Sequence, residues 1–365
     1  MQVKTQRNRQ SAVLLAILAA GCYGFSVPLS KLLLEYIPPV LLAALLYLGA
    51  GLGMAAVHLF SRRAARTEAK LTRRDLPYTA AMIALDIAAP ILLLLGLSQT
   101  SPGNVSLLSN FKIVATAVFA LLFFRETVGR RMWLVIAIVT IACLLLSIED
   151  FRAFSVSVGS LYALLACACW GLENNCTRML SLKNPMQIVI IKGFGAGAGS
   201  LIAAIFLRQW PAEPLPVALA LLLGFTAYGL SIYFYIRAQR HLGAVRTGAY
   251  YAFAPFIGVA LSAALFGQPV TLPFFLALLL MASGAVLAAR ETHAHRHLHG
   301  RMEHEHRHNH ADGHHTHAHP YAVDGEHSHM HVHEAMEHSH PHTPDLHHSH
   351  PHKAKETQGK SNRAR

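Results

Sequence analysis

Charge is scarce in this chain: only 14% of its 365 residues are Asp, Glu, Lys or Arg. Cysteine is scarcer, and Cys22, Cys143, Cys167, Cys169 and Cys176 all lie inside apolar runs. There they act as small hydrophobes; Cys167 and Cys169 lack the spacing and partners of a zinc site, and no disulfide is expected. Histidine is nearly missing from the first 289 residues, which hold only His58 and His241 of the 25. Those residues also lack a nucleophile elbow, a catalytic-triad pattern or a metal-hydrolase motif, so an enzyme has little to work with. The run KGFGAGAGS at 192–200 imitates a dinucleotide loop, but no strand precedes it and it lies within an apolar span. Gly193 with Gly197, Gly195 with Gly199 and Gly49 with Gly53 are pairs four apart, the spacing that lets two helices approach closely.

What the chain has is hydrophobic length. Ten apolar runs lie near 11–31, 38–60, 77–98, 103–124, 131–148, 158–179, 185–207, 215–236, 244–266 and 271–289. At ~1.5 Å per residue each is long enough to cross a hydrocarbon core of ~30 Å. This predicts an all-α integral membrane fold of ten transmembrane helices followed by a polar tail. Residues 1–22 loosely imitate a lipoprotein signal ending in Gly21-Cys22, but the apolar run continues to Leu34, which favours a retained first helix.

The formal net charge of +12 would suit nucleic acid if it were clustered on a soluble face, so its location matters. Residues 290–365 carry nine Lys/Arg against ten Asp/Glu, which leaves the excess in the membrane body. With the N-terminus in the cytoplasm, 17 basic residues fall on the inner side and only Lys31, Arg152 and Arg208 on the outer. That asymmetry is the positive-inside signal. It places both termini in the cytoplasm of a multi-pass protein of the cytoplasmic (inner) membrane, and it leaves no case for nucleic acid.

The body repeats. An offset of 147 residues aligns Tyr23-Gly24 with Trp170-Gly171, Lys31 with Arg178 and Pro38 with Pro185. LLFFRETV at 121–128 and ALFGQPV at 264–270 superpose at a slightly smaller offset, which sets Glu126 opposite Gln268. Two units of five helices, 11–149 and 157–289, therefore sit between a short N-terminal segment at 1–10 and a tail at 290–365. An odd number of helices makes the second unit enter the membrane from the opposite side, the inverted repeat of many secondary transporters.

These residues carry a resemblance. The paired Tyr/Trp-Gly, the Pro opening the second helix of each unit, FFRETV, and LGAVRTGAYYAFAPFIGVALSAALFGQPV at 242–270 resemble the drug/metabolite transporter superfamily, of the EamA type with ten helices. The resemblance covers roughly 11–289 and implies a carrier whose cargo it does not specify. Two departures stand out: Gln268 replaces the usual Glu, and Lys112-Ile113 stands where a Pro is common, as Pro255 is in the second unit.

Four ionisable residues lie well inside spans: Asp86, Lys112, Glu173 and Lys192. Charges in hydrocarbon cost several kcal/mol, ~2.5–3.5 on insertion scales, so such groups face the bundle interior and find partners. One reading gives Asp86 or Glu173 a coupling proton and Lys112 or Lys192 a substrate carboxylate. The other makes them fixed ion pairs that set helix register. Asn110 shares a polar stripe with Lys112, Asn174 follows Glu173, and Tyr250 and Tyr251 are candidate walls of the transport path. The consecutive polar residues Glu173, Asn174 and Asn175 suggest a cavity mouth or an irregular turn.

The tail holds the missing histidines. His293, His295, His297, His299, His304, His306, His308, His310, His314, His315, His317 and His319 alternate over its first part. Imidazoles at this density suit Zn, Ni, Co or Cu. The segment is too polar to bury a core and is expected to be disordered without a ligand. No cofactor is required by the body. The expected partners are a small-molecule solute, the lipid bilayer and divalent metal ions at the tail, with a homodimer left open. Three functions compete in this order: an exporter of a small organic metabolite with an accessory tail, a divalent-metal exporter or metal-regulated transporter, and a membrane-anchored metal buffer. Against the metal readings, His58 and His241 are expected at the membrane edges, the spans hold no cluster of acids, and Lys112 and Lys192 would repel a cation.

Overall fold

A computed structural model describes residues 2–60, 71–124, 130–150, 155–180, 183–211, 213–242, 247, 250–267, 271–289, 293–299, 302–308, 327–333 and 336–342. A helix occupies each of the ten expected spans. The first unit comprises α1 (Gln2–Gly24), α2 (Ser26–Leu33), α3 (Pro39–Phe60), α4 (Leu76–Gln99), α5 (Pro102–Leu108), α6 (Phe111–Phe124) and α7 (Arg130–Ser147). The second comprises α8 (Val158–Met179), α9 (Pro185–Phe206), α10 (Pro214–Gly224), α11 (Ser231–Leu242), α12 (Ala254–Phe266) and α13 (Leu272–Ala289).

Local chemistry explains where these helices start. Pro102, Pro185 and Pro214 occupy first-turn positions, where the missing N–H costs nothing. Asn184 Oδ1 accepts from the N–H groups of Met186 and Gln187, and the side chain of Ser101 accepts from Asn104 N. Several spans are broken rather than straight, the ninth at Ala252 and Phe253. The first turns at Phe25 between α1 and α2, the fourth at Ser109 and Asn110, and the eighth carries a π-helical turn, Phe225–Leu230. Such turns re-aim side chains at depth.

The two units pack on each other by equivalent pairs. α3 lies along α9 and α7 along α13, helices that exchange under the repeat; α4 lies along α8, and its counterpart is α1 along α11. The α3–α9 contact depends on missing Cβ atoms: one added at Gly51 would lie 3.0 Å from Phe194 N, and one at Gly193 would run into the backbone of Gly51. Those glycines are packing glycines. Leu52, Leu122, Phe123, Leu144, Ile202, Phe206 and Leu279 are exposed large side chains on the outer faces, the surface a bilayer covers.

One detail of the sequence reading changes. The sixth span is one uninterrupted helix through Glu173–Asn175, so no irregular turn accommodates the polar run. The tail residues described form two antiparallel ladders, 293–299 with 336–342 and 302–308 with 327–333, with His293, His295 and His297 opposite His342, His340 and His338. His310, His314, His315, His317 and His319 lie outside the described residues.

Candidate functional site

The buried charges meet where α4, α8 and α9 converge. Lys192 on α9 donates to Glu173 Oε1 on α8 at 2.7 Å and lies 3.2 Å from Asp86 Oδ2 on α4. All three are buried, Asp86 completely. Tyr47 on α3 donates to Asp86 Oδ1 at 2.9 Å, and Thr177, one turn beyond Glu173, donates to its carboxylate. Asp86 Oδ2 forms an ion pair but no hydrogen bond. Two carboxylates thus share one ammonium.

Lys112 is not part of that cluster. Its Nζ lies 4.8 Å from the ring centroid of Tyr23 and 5.2 Å from that of Trp170. These aromatics are the two repeat-equivalent residues that precede Gly24 and Gly171. The glycines explain the placement. A Cβ on Gly171 would lie 2.5 Å from Ala115 Cβ on α6, and one on Gly24 would lie 2.7 Å from Ile257 Cβ on α12. Each Gly lets the fourth helix of one unit or the other close in, and the ring before it then reaches the centre, where the two flank a single lysine. Tyr251 continues this wall, with its ring 5.6 Å from Tyr23 and its hydroxyl 3.4 Å from Ser231 Oγ.

The second copy of the charged seam is neutral. The offset of 147 sets Ser26 opposite Glu173, and the offset that sets Glu126 on Gln268 sets Tyr228 opposite Asp86. Ser26 Oγ donates to Tyr228 Oη at 3.2 Å, a hydroxyl pair where the other seam has carboxylates. Tyr228 belongs to the π-helical turn, and its ring lies 5.2 Å from that of Tyr47. Tyr47 therefore touches both seams.

Of the residues picked from the sequence, Asp86, Glu173 and Lys192 come together, and Lys112 and Tyr251 lie in the adjoining aromatic frame. The others are elsewhere. Asn110 is buried, with Nδ2 donating to Leu107 O at the break of its own span. Asn174 is exposed and donates to Thr116 Oγ1. Tyr250 packs by Ala12, Ala16 and Ala238, in a cluster separate from the main core. Tyr47 escaped sequence reasoning. It is the one hydroxyl in the middle of VLLAALLYLGAGLGM, an oddity that could have marked it.

This arrangement holds opposite charges together in apolar surroundings and sets a further cation beside aromatic rings. The profile of the EamA-like transporter family matches residues 10–148 and 157–290, the two units in full. The chain belongs to the EamA-like transporter family. An uncharacterized transporter of Methanothermobacter thermautotrophicus (strain Delta H) is 25% identical over 291 residues, 74% of this chain and 84% of that protein. The uncharacterized transporter YyaM of Bacillus subtilis (strain 168) is 24% identical over 207 residues, 54% of this chain and 68% of that protein. A solved crystal structure aligns with a TM-score of 0.56 at 18% identity, over 77% of this chain and 97% of the other, a likeness of fold. The EamA-like family and these relatives are transporters, not enzymes, so this is a multi-pass membrane transporter built from two EamA repeats.

Proposed function

We propose that this EamA protein is a secondary exporter of a small organic solute, working by alternating access across the cytoplasmic membrane with both termini in the cytoplasm. In this reading Asp86, Lys192 and Glu173 hold the coupling proton. The observation that carries it is Asp86 Oδ2, fully buried, 3.2 Å from a shared ammonium and without a hydrogen bond. With all three groups ionised the cluster carries one net negative charge in a low-dielectric seam, which is costly. A proton on Oδ2 removes that charge, weakens the hold of Lys192 on α4 and loosens one seam while the neutral seam stays unchanged. A carrier needs such a differential contact if ion binding is to shift its conformational balance.

The tail is proposed as an accessory ligand set for Zn, Ni, Co or Cu on the cytoplasmic face, a sensor or reservoir rather than the transport site. Histidines opposed across two strands support that reading. The test uses a host lacking its own exporters, given either the full chain or a version ending near Arg290. Efflux of metabolites and tolerance to metals are scored for both. The expected outcome is metabolite efflux that needs Asp86 and survives loss of the tail. Metal tolerance that depends on Asp86 or Glu173 would replace the organic-solute reading with a metal-exporter one.

A further inference from the structure

Lys112, half-buried within the fourth span, is the charge that the proton cluster does not use. Among the described residues no carboxylate lies within ion-pair distance of it; Asp86 and Glu173 both face Lys192. Its neighbours that could become anionic are committed elsewhere: the Cys167 thiol faces Leu108 O at 3.5 Å, and the Tyr251 hydroxyl lies by Ser231 Oγ. Tyr23 offers its ring face. Ring faces contribute ~0.5–2 kcal/mol to a cation, less than the several kcal/mol a lone charge costs at membrane depth. The ammonium is held, and its charge is unbalanced locally.

We propose that Lys112 anchors the carboxylate of the transported solute, and that the cargo is a small monocarboxylate with an apolar body lying along Tyr23, Trp170 and Tyr251. This rests on the exporter reading above. A single ammonium among rings suits one anionic charge beside a hydrophobic group; phosphate calls for several cations or an arginine fork. A cationic solute would meet Lys112 head-on.

The charge count also links cargo to proton. Asp86, Glu173, Lys192 and Lys112 sum to zero when all are ionised. A carboxylate arriving at Lys112 makes the set negative, and a proton at Asp86 Oδ2 restores neutrality. The other titratable groups around that oxygen's cluster, Tyr47, Tyr228 and Cys176, are neutral in their ordinary states. The loaded centre is therefore electrically equivalent to the empty one, and anion and proton bind together. Binding tightens as pH falls, because the loaded state holds the extra proton.

The experiment uses the full chain in detergent, with phenylacetate, isovalerate and indole-3-acetate as probes and phenylacetamide and phenethylamine as neutral and cationic controls. Calorimetry in buffers of different ionisation heat counts protons, and fluorescence follows Trp170. The expected result is carboxylate binding with uptake of about one proton, at least about tenfold tighter than either control. Lys112→Gln should lose at least about tenfold for carboxylates, and Lys112→Arg should recover part of that loss. Equal binding by folded Lys112→Gln, a preference for phenethylamine, or no binding of any carboxylate overturns the anion site. Proton uptake is tested separately by Asp86→Asn, expected to bind phenylacetate without it. Undiminished uptake in that variant overturns the proton role of Asp86 and leaves the Lys112 site standing.

Discussion

The seam between the third and sixth spans and the seam between the first and eighth are related by the repeat, each joining one helix from each unit, yet one is closed by charge and the other by hydroxyls. Glu173 and Asp86 meet through Lys192 in the first, whereas Ser26 and Tyr228 meet directly in the second. The difference shows that an inverted repeat conserves helix packing without conserving electrostatics. Glycines at equivalent positions, Gly24 and Gly171, serve the same close approach in both halves. Among the described residues, only the charged seam brings buried carboxylates together with an ammonium, and it draws them from both halves.

The comparison can be broken most severely at Lys192. Lys192→Met leaves two buried carboxylates without a cation, and removing one partner of a buried pair typically costs ~3–5 kcal/mol. A collapse in yield of folded protein, read by gel filtration, is expected. The triple change Asp86→Asn, Glu173→Gln, Lys192→Met should restore folding and give a carrier whose efflux no longer responds to pH. Next is Gly171→Leu, which drives a side chain into α6 where a bare Cβ would already lie 2.5 Å from Ala115 Cβ. Overpacking of this kind costs ~1–3 kcal/mol, occasionally more, and should lower the thermal midpoint in detergent. Gly24→Leu should do the same by a similar amount, since that contact is shared by both halves.

Asp86→Asn sharpens the comparison instead. It keeps size and the partner for Tyr47 but removes the charge, so the protein should fold and lose the pH dependence of efflux in membrane vesicles. The smallest effect is expected from Ser26→Ala in the neutral seam. A neutral hydrogen bond contributes ~0.5–1.5 kcal/mol net, so the midpoint should move slightly and the pH profile not at all. A shifted pH profile in Ser26→Ala would mean that the hydroxyl seam also handles the proton.

Much of this organisation is legible in the sequence because membranes impose long apolar runs and a repeat leaves matching landmarks. Tyr23-Gly24 against Trp170-Gly171 suffices to place the two units, and the rarity of charge at depth isolates Asp86, Lys112, Glu173 and Lys192. Pairing among those four is not legible, because depth along a helix says nothing about rotation around it. Asn174 follows Glu173 directly and so points about 100° away, onto Thr116. Tyr250 and Tyr251 separate for the same reason. Tyr47 is hidden by its surroundings, since an amphipathic ring in an apolar run passes for hydrophobic filling.

That tyrosine has one consequence for how the halves communicate. A phenol has a single proton to give, and Tyr47 gives it to Asp86 while resting its ring on Tyr228. When Asp86 is discharged, the charge-assisted bond becomes an ordinary one, and the ring loses its strongest tether. In the proposed mechanism Tyr47 is thus the messenger between the charged seam and the hydroxyl seam.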